Sequence, residues 1–235
     1  MSIGYDSKSS FKYSLRNFRT TDFLAFRELP GVLKAEIKNP YAIDYGCGAG
    51  RSTRFLKDIG YLTIGFDINL NMLLNAHHRD STGLYVKIKS SEIPLNDLSI
   101  VLVFCSFVLM EISSKDEILR IFREFNRVLK PNGIVAIIVN TENFYRGQWV
   151  SSDVNFPENS GKLKSGQQVM VKLMPENIHL PDYFWTDKDY KGLMGSAGLK
   201  LQEEFRPLGS SDDNIEWLDE ISISPHVVYI AKKVK

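Results

Sequence analysis

The sequence predicts an α/β domain built on a mostly parallel sheet, and three observations carry that prediction. Residues 41–53 (YAIDYGCGAGRST) run from β-prone residues into Asp44, then through Gly46, Gly48 and Gly50 into a helical pattern. That is a strand, a tight turn and a helix start. Strand-like and helix-like segments alternate beyond it, the order expected of crossover-linked parallel strands. One of them, residues 99–107 (SIVLVFCSF), is apolar almost throughout, as a central strand covered on both faces should be.

A chain of 235 residues suits one domain, or one domain with an insertion, and can bury a full core. Its net charge of +1 gives no general attraction to nucleic acid or to an anionic membrane, so neither is expected as a partner. No apolar run is long enough to span a bilayer, and the polar start MSIGYDSKSS lacks a secretory apolar segment, so a cytoplasmic location is expected. Cys47 and Cys105 have neither metal-ligand spacing nor the pattern of a disulfide framework. No metal is expected.

In chain order, residues 1–40 read as a helical cap, with Phe11, Leu15 and Phe18 on one face and Lys8, Lys12, Arg16 and Arg19 on another. Further helical pieces are expected over 20–28 and ahead of Asn39-Pro40. After the glycine turn come a helix over 52–59, a strand over 61–67, a helix over 69–79 and a strand over 84–89. The apolar strand 99–107 follows, then a helix to Lys130 with Ile118, Ile121, Phe122, Phe125, Val128 and Leu129 at core spacing, and a strand over 134–139. His77 and His78 are adjacent on their helix and so make a poor metal pair.

Periodicity then breaks down over 140–185, which reads as a lid-like insertion with strand-like runs at 161–164 and 168–173. A helix over 186–197 returns, opened by Thr186 and Asp189 as a capping box and closed by Gly198. Strands over 199–206 and 226–232 complete the core. The division expected is a cap (1–40), a core (41–139 and 186–235) and a lid (140–185).

Gly46, Gly48 and Gly50 let a ligand touch the backbone, and the N–H groups of the next helix favour a polar or anionic group there. Asp67 ends the next strand about 20 residues on, where a carboxylate can accept from two ribose hydroxyls. Arg51 stands where the dinucleotide fingerprint needs its last glycine, which disfavours a nicotinamide enzyme.

The run Asp44-Tyr-Gly-Cys-Gly-Ala-Gly resembles the first motif of the class I S-adenosylmethionine-dependent methyltransferases, D-x-G-C-G-x-G. Leu129-Lys130-Pro131-Asn132-Gly133 ahead of an apolar strand is similar to that family's L-K-P-G-G turn, in the right place in the order. The resemblance implies a doubly wound, mostly parallel sheet of seven strands with the last antiparallel, and S-adenosylmethionine as cofactor. It implies that Asp44 fixes the loop and the methionine amine, that the glycines allow close approach, and that Asp67 with Ile68 holds the ribose. Tyr13 and Arg16 of the cap are expected over the cofactor, with Cys105 at the end of the fourth strand beside it.

The family's adenine-reading aspartate falls at Lys89, so the resemblance leaves Ser91, Glu92 or a backbone carbonyl to take the adenine amine, next to Ile93. No Asn-Pro-Pro-Tyr-like stretch follows the fourth strand, which favours a small-molecule acceptor, with a heterocyclic or aromatic one preferred. In a parallel sheet ligands lie beyond the carboxyl ends of the strands, so the segments 140–185 and 207–225 belong to the site's rim. Phe107, Trp149, Trp185 and Trp217 are therefore expected at the substrate, and His226 and Glu111 are the candidate catalytic bases. An RNA or protein methyltransferase and a cofactor-binding regulatory domain without turnover are the alternatives.

Overall fold

The computed structural model describes residues 5–16, 21–33 and 40–234. Phe18, Arg19, Thr20 and Asn39 of the expected cap pattern lie outside the described residues. Asp6 opens α1 (Ser7–Ser14), its carboxylate accepting the Ser9 N–H at 2.7 Å. The short α2 (Phe23–Arg27) and α3 (Leu29–Val32) follow. Strand and helix then alternate: β1 (Tyr41–Tyr45), α4 (Arg51–Asp58), β2 (Leu62–Asp67), α5 (Leu70–Arg79), β3 (Leu84–Lys87), β4 (Ile100–Ser106), α6 (Lys115–Val128) and β5 (Leu129–Asn140). The insertion carries β6 (Ser152–Asp153), β7 (Gln168–Leu173) and β8 (Ile178–Tyr183), and the chain ends with α7 (Asp187–Ser196), β9 (Leu199–Phe205) and β10 (His226–Lys233).

The main sheet has seven strands in the order β3-β2-β1-β4-β5-β10-β9, with β10 antiparallel to both neighbours. This is the expected doubly wound arrangement. The order reverses between β1 and β4, and the crevice beyond their carboxyl ends is where an open sheet binds its ligand. Side chains of β4 alternate between two cores, Val103 and Cys105 toward α6 and α7, Leu102 and Phe104 toward α2, α3 and α4. That double burial explains the continuous apolar run.

Helix α6 buries Ile118, Ile121, Phe122, Phe125 and Val128 as its spacing predicts, and Ser114 caps it. It ends at Val128, two residues before the predicted end, because Leu129 already pairs with Ile100 in the sheet. The register with β4 then slips, and Asn132 takes the left-handed conformation (φ 66°) at the place of the family's first turn glycine. Asparagine tolerates that conformation best among residues with a Cβ.

The insertion differs from its sequence reading. Strand β7 pairs with Ile178–Tyr183, not with 161–164, which forms no strand. Pro181 disguised β8, since proline breaks most strands. Here β8 is an edge strand, and Pro181 lies opposite Met170, whose own N–H and C=O are bonded to the Asn159 amide at 2.9 and 2.8 Å. No ladder bond needs the missing proline N–H. The insertion also has its own core of Phe144, Trp149, Val154, Val169, Val171 and Phe184, so it is a packed subdomain. Asn159 is buried and also donates to the Val154 carbonyl at 2.7 Å. Asn159→Ala orphans these groups and is expected to lower unfolding free energy by about 2–3 kcal/mol, read from the urea midpoint.

Candidate functional site

The glycine turn folds back on the end of β2. Gly46 and Cys47 donate their N–H groups to the Phe66 carbonyl at 2.7 and 2.9 Å, and Gly48 donates to Asp67 Oδ2 at 2.8 Å. Asp67 Oδ1 accepts the Asn69 N–H at 2.7 Å, so this carboxylate is clamped between the turn and the start of α5. Burial pushes its pKa up, and the N–H groups of Asn69 and Gly48 oppose that. Gly46 has φ 74°, and a Cβ there would sit 2.2 Å from Val108 Cγ2. Gly50 turns away from the crevice, where a Cβ would meet the Tyr85 hydroxyl at 2.6 Å. Its glycine serves the turn and the packing of β3, a correction to its expected place at the ligand.

Asp44 is fully buried at the end of β1, and its Oδ2 accepts the hydroxyls of Ser52 and Thr53 at 2.7 and 2.6 Å. Its Oδ1 has no partner among the described residues. Burial pushes this carboxyl up to about 6.

Beyond the turn lies a cavity of about 270 Å³. Gly46, Gly48 and Asp67 form its floor, Tyr5 and Tyr13 of the cap its roof, and Ile68, Met72 and Ile88 an apolar end with Ser90 and Glu117 on its edge. A second, narrower cavity of about 80 Å³ adjoins it, with Tyr5, Tyr13, Phe107 and Glu111 lining both. Phe107 holds φ 58°, rare for a bulky residue and a mark of a constrained position between two sites.

The second cavity is lined by acids and a histidine. His226 opens β10 directly opposite Asn140, the last residue of β5. This register sets His226 Nδ1 3.0 Å from Asn140 Oδ1, so Nδ1 donates its proton and Nε2 carries the lone pair. Nε2 is buried and has no partner among the described residues. Burial holds the imidazole down to about 4, against the pull of Asp22, so it is neutral at pH 7. Asp182 comes from β8 and is pushed up to about 7 by burial, while the Tyr145 hydroxyl donates to it at 3.3 Å. Burial, with Asp182 and Asp67 nearby, also raises the Glu111 carboxyl well above its usual range.

Several expected site residues sit elsewhere. Arg16 lines the second cavity, not the first. Its guanidinium is engaged by Asp22, Glu176 and the Met174 carbonyl. Arg51, 2.7 Å from the other Asp22 oxygen, ties the cap to the glycine turn. Ser91, Glu92, Ile93 and Cys105 do not line the first cavity. The Ser91 N–H goes to the Tyr45 hydroxyl, Glu92 is exposed beside Lys89, the Ile93 N–H goes to Glu124, and Cys105 is enclosed in the core.

Trp149, Trp185 and Trp217 are buried outside both cavities, and their indole N–H groups are donated to the Phe144 carbonyl, the Ile112 carbonyl and Asp213. They pack, and none lines either of the two cavities. The Phe and Tyr rings at the cavities are Tyr5, Tyr13, Tyr45, Phe107 and Phe144. Sequence reasoning missed Asp182, Asn140, Ser90 and Glu117. Only the β5–β10 register could have pointed to Asn140.

Residues 43–137 match the family model of the methyltransferase domain. The malonyl-(acyl-carrier protein) O-methyltransferase of Hamiltonella defensa is 26% identical over 103 residues, 44% of this chain and 39% of that protein. The 18S rRNA (guanine-N(7))-methyltransferase of Bos taurus is 37% identical over 82 residues, 34% of this chain and 29% of that protein. The chain thus spans well under half the length of these curated relatives. A structure of an S-adenosylmethionine-dependent methyltransferase from Methanosarcina mazei shares the fold, with a TM-score of 0.65 at 19% identity over 86% of this chain and 96% of that one.

The family-model match over the glycine turn and the shared fold imply S-adenosylmethionine as the cofactor. The first cavity fits that group. It offers an open glycine backbone and a clamped carboxylate at Asp67, whereas Asp44, expected at the methionine amine, does not line it and sits beneath the turn on the Ser52 and Thr53 hydroxyls. Among the described residues no helix is long and apolar enough to cross a membrane, and no cluster of three metal-ligating side chains is present.

Proposed function

We propose that this chain binds S-adenosylmethionine in the glycine-turn cavity and methylates a small-molecule amine or hydroxyl compound in the adjoining one. The observation that carries this reading is the wall shared by the two cavities, Tyr5, Tyr13, Phe107 and Glu111, with the unpartnered Nε2 of His226 on the far side. S-adenosylmethionine, when bound, supplies a methyl group on a sulfonium for in-line displacement by a nucleophile.

The residues supply position and proton handling. Asp67 accepts from the ribose hydroxyls, Ile68 packs beside the adenosine, and the backbone at Gly48 holds the methionine end, with Asp44 fixing the turn beneath it through Ser52 and Thr53. Tyr5 and Tyr13 exclude water from above. His226, oriented by Asn140, takes the proton that the acceptor releases as its bond to the methyl carbon forms. Glu111 and Asp182 offer oxygen acceptors, which favours a hydrogen-bond donor as the methylated group and an amine above all. Phe107 and Phe144, packed against the His226 ring at 4.8 and 5.6 Å between centroids, give the second cavity the aromatic surface that suits the flat heterocycle or aromatic ring the sequence suggested.

An RNA acceptor finds support only in the bovine relative. The narrow second cavity, lined by Glu111, Asp182 and an Asp22 already engaged by arginines, is a poor host for phosphate. The test is transfer of a labelled methyl group from S-adenosylmethionine to a panel of small amines, phenols and carboxylic acids, with total RNA and protein alongside. Label confined to RNA or protein overturns the small-molecule reading. His226→Ala is expected to lower turnover by about 10²-fold or more while cofactor affinity by calorimetry stays unchanged.

A further inference from the structure

Ser90 and Glu117 are among the polar residues that line the cofactor cavity. Past Asp67 its walls are apolar, Ile68, Met72 and Ile88, the surroundings a flat base would take. At the rim of that slot stand Ser90, from the loop after β3, and Glu117, from the first turn of α6. The Ser90 hydroxyl donates a short hydrogen bond to Glu117 Oε1, and Glu117 Oε2 accepts no hydrogen bond from any described residue. Lys89, at the position where the loop would otherwise present an acid, is largely exposed with its ammonium 3.9 Å from Glu92. So the loop brings no acid to the slot, and a helix on the other side of the crevice does.

We propose that Glu117, steadied by Ser90, reads the exocyclic amine of the cofactor's adenine in this protein. The assignment rests on the cofactor reading above. Adenine presents a donor at its 6-amino group and an acceptor at the neighbouring ring nitrogen. A carboxylate can only accept, so it suits the amine, and the single Ser90 proton, donated to Glu117 Oε1, leaves Oε2 turned to the base. A 6-oxo base reverses both groups. Its oxygen would face the Glu117 carboxylate, and a site built around one hydrogen-bond pattern rejects its reverse strongly.

Calorimetry on the full chain tests this with two thioethers, S-adenosylhomocysteine and its deaminated 6-oxo counterpart S-inosylhomocysteine. Wild type is expected to prefer the adenine compound by about tenfold or more, the scale of one hydrogen bond to a charged group. Glu117→Gln should erase most of that preference, since its amide can turn to donate to the 6-oxo group. Glu117→Ala should weaken the adenine compound alone, with melting curves confirming the fold of both variants. Wild-type binding whose preference is unchanged in folded Glu117→Gln overturns the assignment by itself. Failure of wild type to bind either compound overturns the cofactor reading and this assignment together.

Discussion

Asp67→Ala is expected to weaken binding of S-adenosylmethionine and S-adenosylhomocysteine by about a hundredfold without unfolding the protein. Two hydrogen bonds from ribose hydroxyls to one carboxylate are worth about 3 kcal/mol together, which is two decades in affinity. The same carboxylate positions the site before any ligand arrives, holding the Gly48 N–H on one oxygen and the Asn69 N–H on the other. The alanine variant therefore loses contacts and preorganisation at once. Asp67→Asn should fare little better, because its amide nitrogen must face one of those two N–H donors. Calorimetry with far-UV circular dichroism checks both variants. Undiminished affinity in a folded Asp67→Ala protein would remove Asp67 from the site.

The sheet was legible because its signals are local and redundant. The glycine turn, the apolar run that became β4 and the α6 periodicity each placed one element, and the family resemblance implied the seven-stranded topology seen here. Asp67 was legible for the same reason, since strand–turn spacing fixes where the end of β2 falls. The second cavity was not. It is assembled by non-local pairing: β10 opposite β5 puts His226 beside Asn140, and β8, hidden by Pro181, delivers Asp182. The tryptophans misled because a large aromatic in a long loop reads as a lid, whereas here each indole fills a core and donates to a backbone or carboxylate oxygen. The loop after β3 misled because Ser91 and Glu92 do not reach the first cavity, while Glu117 of α6, far away in sequence, lines it.

Asp182→Asn is expected to stabilise the protein above neutral pH while impairing methyl transfer, and the sign follows from burial. Asp182 is 5% exposed, has two long hydrogen bonds from Tyr145 and Asn140 at 3.3 and 3.4 Å, and has no cation beside it among the described residues. Burial raises its carboxyl from 3.8 to about 7, so between those values the folded chain keeps a proton that the unfolded chain has lost. Stability from this group is therefore fully present below about pH 4 and is lost as pH rises through 7, by up to about 4 kcal/mol. Asp44, raised to about 6, acts in the same direction, and His226, lowered to about 4, acts in the opposite one between pH 4 and 6.5. The comparison with the asparagine variant isolates Asp182 from both. Urea unfolding at pH 5 and pH 8 should show the variant's relative stability rising with pH; a difference between variant and wild type that stays constant would sink the assignment. An acid retained where an amide is more stable is the expected mark of a ligand-binding role, which the amide variant tests. A protonated amine in the second cavity would draw Asp182 to its charged form and return the stability that burial removes, so a bound amine should raise the melting temperature of wild type at pH 8 more than that of Asp182→Asn.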